Sequence, residues 1–128
     1  MRAKSQGGPR AAPMRGKHLI LVVEPRSASA SRMREALPPQ SYVVAEARTP
    51  RKAVEILAKQ RPSVIFLSTA FGAQTTYRAC RKLAQYGFLV ALLDANVTRD
   101  SVTRAVRNGA IGLLVRPLRR ETLAPRVE

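Results

Sequence analysis

Apolar and polar positions follow two alternating periods along this chain. Short aliphatic runs are separated by segments whose apolar residues recur three and four apart. Leu19–Val23 is an unbroken aliphatic run, as expected of a buried parallel strand covered on both faces. Ser27–Leu37 follows with Ala30, Met33, Ala36 and Leu37 at helical spacing, and Pro38-Pro39 ends it. Tyr42–Ala45 reads as a second strand. Thr49 caps a helix that opens on Pro50 at its first position and is expected to bury Ala53, Val54 and Leu57. Val64–Leu67 is a third strand, and Gln74–Gln85 a third helix with Tyr77, Cys80, Leu83 and Ala84 facing inward. Phe88–Leu93 is the fourth strand. Thr98 caps a fourth helix, Arg99–Asn108, with an inner stripe of Val102, Ala105 and Val106 and Gly109 just past its end. Ile111–Val115 is the fifth strand, and Glu121–Arg126, interrupted by Pro125, is a short fifth helix.

Strands alternating with helices at such short spacing predict a doubly wound α/β fold, a five-stranded parallel sheet with helices on both faces. Ligands of such sheets sit at the carboxyl ends of the strands. That rule selects Glu24, Ser68, Asp94 and Arg116, each at or just past a strand end.

Composition narrows the class. With 128 residues and 45% apolar content, the chain supports one domain with a hydrophobic core and needs no disulfide or metal to hold it. No apolar run reaches the roughly 18 residues of a membrane span, and no membrane association is expected. The single cysteine, Cys80, has no internal partner and suits a reducing cytoplasm. Residues 1–17 hold Gly7, Gly8, Pro9, Pro13 and Gly16 with five basic residues and no apolar period. They read as a flexible basic tail, with the folded unit over 18–128.

Charge is the unusual quantity. Lys and Arg number 23 against 8 Asp and Glu, a formal +15. One reading is attraction to an anionic partner such as nucleic acid. The other is an arginine-rich surface set by genomic composition. The basic residues are dispersed, and with three Tyr, three Phe and no Trp there is no basic run interleaved with aromatics of the kind that binds single strands.

The residues at the strand ends carry a resemblance. Leu19-Ile20-Leu21-Val22-Val23-Glu24-Pro25, Arg61-Pro62-Ser63-Val64-Ile65-Phe66-Leu67-Ser68, Val90-Ala91-Leu92-Leu93-Asp94-Ala95 and, most specific, Asn108-Gly109-Ala110-Ile111-Gly112-Leu113-Leu114-Val115-Arg116-Pro117 resemble the receiver domains of bacterial response regulators. The resemblance runs from Lys17 to about Val127 and implies a flavodoxin-like fold with a cis peptide before Pro117. In that family two acidic residues and an acceptor aspartate hold a magnesium ion that neutralises the phosphoryl group. Here the acidic pair is Glu24 followed by Pro25, the acceptor position is Ser68, the phosphoryl-sensing hydroxyl position is Asp94, the lysine is Arg116 and the aromatic switch is Leu113. A neutral serine is a poor nucleophile without a base.

The resemblance therefore implies a pseudo-receiver without catalysis, cofactor or metal, acting in signalling through protein contacts. Arg116 is expected to pair with Glu24, Asp94 or both, since an unpaired semi-buried guanidinium is costly; a divalent cation between Glu24 and Asp94 is the alternative. The family's output face, formed by the fourth helix, fifth strand and fifth helix, is the expected partner surface and possible homodimer interface. Its candidates are Arg104, Arg107, Leu113, Arg119 and Arg120, with apolar area from Leu113, Leu118 and Leu123. No DNA-binding or enzymatic output domain is expected to follow. Nucleic-acid binding through the basic surface and tail is the alternative function. His18 is expected to be an inert edge residue, Cys80 core, and Ser68 a local hydrogen-bonding group or a kinase target.

Overall fold

The computed structural model describes residues 16–118. Five strands, β1 (His18–Val23), β2 (Tyr42–Ala47), β3 (Val64–Ser68), β4 (Val90–Asp94) and β5 (Gly112–Val115), form one sheet in the order β2-β1-β3-β4-β5, each pair parallel. Between them lie α1 (Ala28–Ala36), α2 (Pro50–Leu57), α3 (Ala73–Gln85) and α4 (Arg99–Arg107), with a 3-10 turn, Thr69–Phe71, after β3. The fold class read from the sequence holds. Residues 1–15 and 119–128, with the expected fifth helix and most of the expected tail, lie outside the described residues.

Side chains alternate across each strand, so β1, β3 and β4 feed two cores. On one face Leu21, Val23, Ile65, Leu67, Val90 and Leu92 pack under α2, α3 and α4 through Ala53, Tyr77, Cys80 and Ala105. On the other, Ile20, Val22, Phe66, Ala91, Leu93 and Leu114 pack with Ala30 and Met33 of α1 and with Leu118. Full burial of a Leu or Ile side chain contributes about 1.5–3 kcal/mol, so the aliphatic runs are the main source of stability.

Helix ends follow local chemistry. The Thr49 hydroxyl accepts from the Lys52 amide ahead of Pro50, and Thr98 and Ser101 form a reciprocal capping box. Gly109 takes φ +90° after α4, as a left-handed helix terminus requires. On the outer side of the sheet, Arg34 of α1 reaches β2, pairing with Glu46 at 2.7 Å and donating to the Val44 carbonyl at 2.8 Å.

Three expected burials fail. Val54 is 64% exposed, and Val102 and Val106 are 42% and 60% exposed. The fourth helix meets the sheet near its β5 edge and is rotated about its axis. Ala105 is its buried residue, and the half-buried line is Ser101, Ala105 and Asn108. Spacing of four and three residues also defines a helix face, so the chain carries two candidate stripes and the less apolar one faces in. Leu118, expected to leave apolar surface, is 1% exposed and belongs to the α1-side core. No helix among the described residues is long and apolar enough to cross a membrane.

Candidate functional site

The strand ends bring Glu24, Ser68, Asp94 and Arg116 to one rim of the sheet, and each side chain there has a definite partner. Glu24 follows β1 and is buried. Its Oε1 accepts from the Ser29 amide at 3.0 Å and its Oε2 from the Ser29 hydroxyl at 2.7 Å. The carboxylate thereby caps α1, whose own N-cap residue, Ser27, makes no side-chain cap bond. Negative charge is favourable at that end of a helix.

Arg116 follows β5, and the peptide to Pro117 is cis. Its Nη1 lies 3.9 Å from Glu24 Oε2, an ion pair longer than a hydrogen bond. Its Nε is buried with no hydrogen-bond partner. Of the two pairings left open by the sequence, the structure makes the one to Glu24.

Asp94 instead faces the 3-10 turn. Its Oδ1 accepts from the Thr69 hydroxyl at 3.0 Å and from the Asn96 amide at 3.3 Å. The backbone still ties the two strand ends, since the Arg116 amide donates to the Asp94 carbonyl at 2.8 Å.

Ser68 is 0% exposed. Its hydroxyl accepts from the Ala70 amide at 3.0 Å, capping the 3-10 turn, and its carbonyl accepts from the Thr76 hydroxyl at 3.0 Å. The local hydrogen-bonding role expected for Ser68 is the observed one.

On the α1 side of this rim lies an open cleft whose lining includes Glu24, Arg26, Ser29, Arg32 and Arg116. Ser29, Arg26 and Arg32 carry no signal in the strand-end rule, because they sit on the following turn and helix. A serine in the first turn of α1, five residues after Glu24, is the sequence feature that would have found the first of them.

The expected partner surface is built differently from its sequence reading. Arg107 faces solvent, but the Arg104 guanidinium lies 4.6 Å over the Tyr77 ring. Burial pushes the Tyr77 phenol above its ordinary pKa, and the Arg104 charge pulls it back part of the way. Leu113 is half-buried against the core below α4. Exposed apolar area comes from Val102 and Val106 of α4 and from Val115, 53% exposed, on β5. Arg119, Arg120 and Leu123 lie outside the described residues. His18, expected to be inert, contacts Ser63 through Nδ1 at 3.2 Å and stacks near Tyr42.

Comparison with solved structures finds the same fold at low identity. A response regulator from Thermotoga maritima matches with 22% identity and TM-score 0.81, over 87% of this chain and 94% of its own. A chemotaxis response regulator of Vibrio cholerae matches with 23% identity and TM-score 0.74, over 86% and 95%. A Burkholderia pseudomallei response regulator, solved with a phosphorylated aspartic acid and calcium, matches with 17% identity and TM-score 0.73, over 88% and 67%. No curated protein sequence matches. The family profile described as the response regulator receiver domain covers residues 20–128. With the sheet order and this match in agreement, the chain belongs to the response regulator receiver domain family.

Proposed function

We propose that this receiver domain works as a phosphorylation-independent interaction module, engaging a signalling or regulatory protein without aspartyl phosphorylation of its own. The observation that carries the reading is Ser68. The residue at the acceptor position is a neutral, fully buried serine whose hydroxyl is already committed to the Ala70 amide. It offers neither a carboxylate nor an exposed nucleophile.

The donor set does not suit a magnesium ion. Magnesium needs several oxygens around one point, and both oxygens of Glu24 are held by Ser29 while a guanidinium stands 3.9 Å from one of them. Pro25 supplies no side-chain oxygen, and Asp94 is turned to Thr69. The Glu24–Arg116 pair occupies the place where charge would otherwise arrive with a ligand, and so favours one conformation.

Partner contact is assigned to the α4–β5 face, where Val102, Val106 and Val115 form exposed apolar area beside Arg107. Exposed apolar side chains there support an interaction surface for another protein or a second copy of the chain. The buried Cys80 fits a cytoplasmic setting.

The test is incubation with a small-molecule phosphodonor and magnesium, followed by intact mass. The expected result is no phosphate-sized addition, and a stoichiometric addition overturns the reading. Capture of a partner should then be lost on V106E with R107E and be indifferent to the phosphodonor.

A further inference from the structure

We infer that the outer face of α3, with Arg61 at one border and Arg104 at the other, binds single-stranded nucleic acid. The surface is separate from the strand-end rim and from the apolar α4–β5 face, and the inference goes beyond the protein contacts proposed above.

The sequence of α3 contains no acidic residue. The other three helices each hold one, Glu35, Glu55 and Asp100. Thr76, Tyr77 and Cys80 of α3 are buried, which leaves Arg78, Arg81 and Lys82 on the exposed face. Arg78, Lys82 and Tyr86 stand four apart, in one row along the helix. Favourable interaction with the helix dipole accounts for a cation in the last turn, Lys82, but not for Arg78 or Arg81 further back.

The fold brings further cations to this helix from distant segments. Arg61, ahead of β3, lies 4.5 Å over the Phe88 ring and donates to the Gly87 carbonyl at 3.5 Å, just past the end of α3. Arg104 of α4 lies 4.6 Å over Tyr77 of α3. Both are exposed. Among the described residues no ion pair takes up Arg61, Arg78, Arg81, Lys82 or Arg104. Asp100 stands one turn before Arg104, and Glu55 is paired with Lys52. At the end of the row Tyr86 is 68% exposed. The basic run interleaved with an aromatic that the linear sequence lacks is thus assembled in space, from three segments.

The chemistry selects among polyanions. Four of the five cations are arginines, whose planar forks match phosphate oxygens bidentately. An exposed tyrosine ring offers a base a face to stack on, which an acidic protein would not use. A lipid surface needs an apolar helix face to insert, and the outer face of α3 is polar. A duplex is read by an element that enters its groove. Here α3 lies in one layer between α2 and α4, all three packed on the same core, so the face can follow a strand but not enter a groove.

The experiment titrates the full chain into fluorescein-labelled oligo-dT and oligo-U of about 12 nucleotides and follows anisotropy over a range of salt concentrations. Saturable binding of both is expected, with a slope of log affinity against log salt of about −3.5, that of five phosphate contacts to a single strand. The double variant R78S with R81S should flatten the slope by about 1.4. Y86A should weaken binding at least about fivefold, the lower end for loss of one stacked base, and leave the slope unchanged. The control is R48S with R51S, which removes the same charge from exposed positions at the other end of the sheet and should keep the affinity within about twofold. All of these side chains are exposed, so the variants keep the fold. Absence of saturation, an equal loss in the R48S and R51S control, or an unchanged affinity in Y86A overturns the proposal. Tighter binding to a duplex of the same length, to polyglutamate, or to vesicles of equimolar phosphatidylglycerol and phosphatidylcholine overturns it as well. None of these outcomes bears on the phosphodonor test of the preceding section, so the two readings fail separately.

Discussion

The Ser29 amide and the Ser29 hydroxyl grip the two oxygens of Glu24, at 3.0 and 2.7 Å, so a single residue of α1 fills both acceptors of the carboxylate that ends β1. This joins the start of α1 to the sheet through a buried charge, and the charge is tolerable only because it is hydrogen-bonded and lies beside Arg116.

S29A therefore leaves Oε2 of Glu24 with only the 3.9 Å contact to Arg116. A destabilisation of about 1–3 kcal/mol is expected from the orphaned acceptor, read as a shift in the urea midpoint. S27A is the control. Ser27 makes no cap bond, and its replacement should stay within about 0.5 kcal/mol.

Restoring an aspartate at the acceptor position should not restore phosphorylation. S68D places a carboxylate at a 0% exposed position and removes the cap on the Ala70 amide. The expected outcome is a loss of several kcal/mol, the scale of an uncompensated buried charge, and no phosphate-sized mass increase with phosphodonor and magnesium. A folded, phosphorylatable S68D would show that acceptor identity alone had been limiting.

Cys80 gives the stability a pH dependence on the alkaline side. Burial pushes its thiol from 9.0 up to about 11. The folded state thus holds the proton more tightly than the unfolded chain. Its contribution is complete below 9 and is lost as pH rises from 9 to about 11. The loss is about 2–3 kcal/mol at most, and the raised Tyr77 phenol acts in the same direction. Urea midpoints measured below 9 and at about 11 should converge toward each other in C80A. Thiol reagents should label Cys80 in the native protein only through unfolding.

Gly109 and Gly72 separate backbone strain from crowding. Both have positive φ, +90° and +100°, but a Cβ on Gly109 would lie 2.6 Å from the Ala84 Cβ, whereas one on Gly72 would meet nothing within 4 Å. G72A should cost about 1–3 kcal/mol through conformation alone. G109A should exceed it by about another 1–3 kcal/mol of overpacking between the ends of α3 and α4. Equal costs in thermal melts would contradict this.

The strands were legible because a buried parallel strand needs little more than an aliphatic run, and Leu19–Val23 and Val64–Leu67 supply it. The strand-end rule then found Glu24 and Arg116, which do pair. It could not separate Glu24 from Asp94 as the partner of Arg116, because the choice depends on Thr69 turning toward Asp94 in a 3-10 turn that carries no periodic signal. Ser29 was missed for a related reason: a hydroxyl inside a helix turn acquires its role only from the element it meets. In α4 apolarity misled, since Val102 and Val106 are more apolar than Ser101 and Asn108, yet a helix at a sheet edge buries too little for apolarity to set its rotation.

Arg34 has a bearing on how this chain behaves at high concentration. The Ser41 and Ala47 carbonyls accept from the His18 and Glu24 amides, so the odd-numbered carbonyls of β2 face β1 and Val44 faces outward. β2 is a terminal strand of the sheet, and such a strand is a template on which another chain can add. By taking the Val44 carbonyl and pairing with Glu46, Arg34 lays a charged side chain along that template. The border of the sheet is thereby guarded against self-templated growth into fibres, by a residue that takes no part in the chemistry of the strand ends.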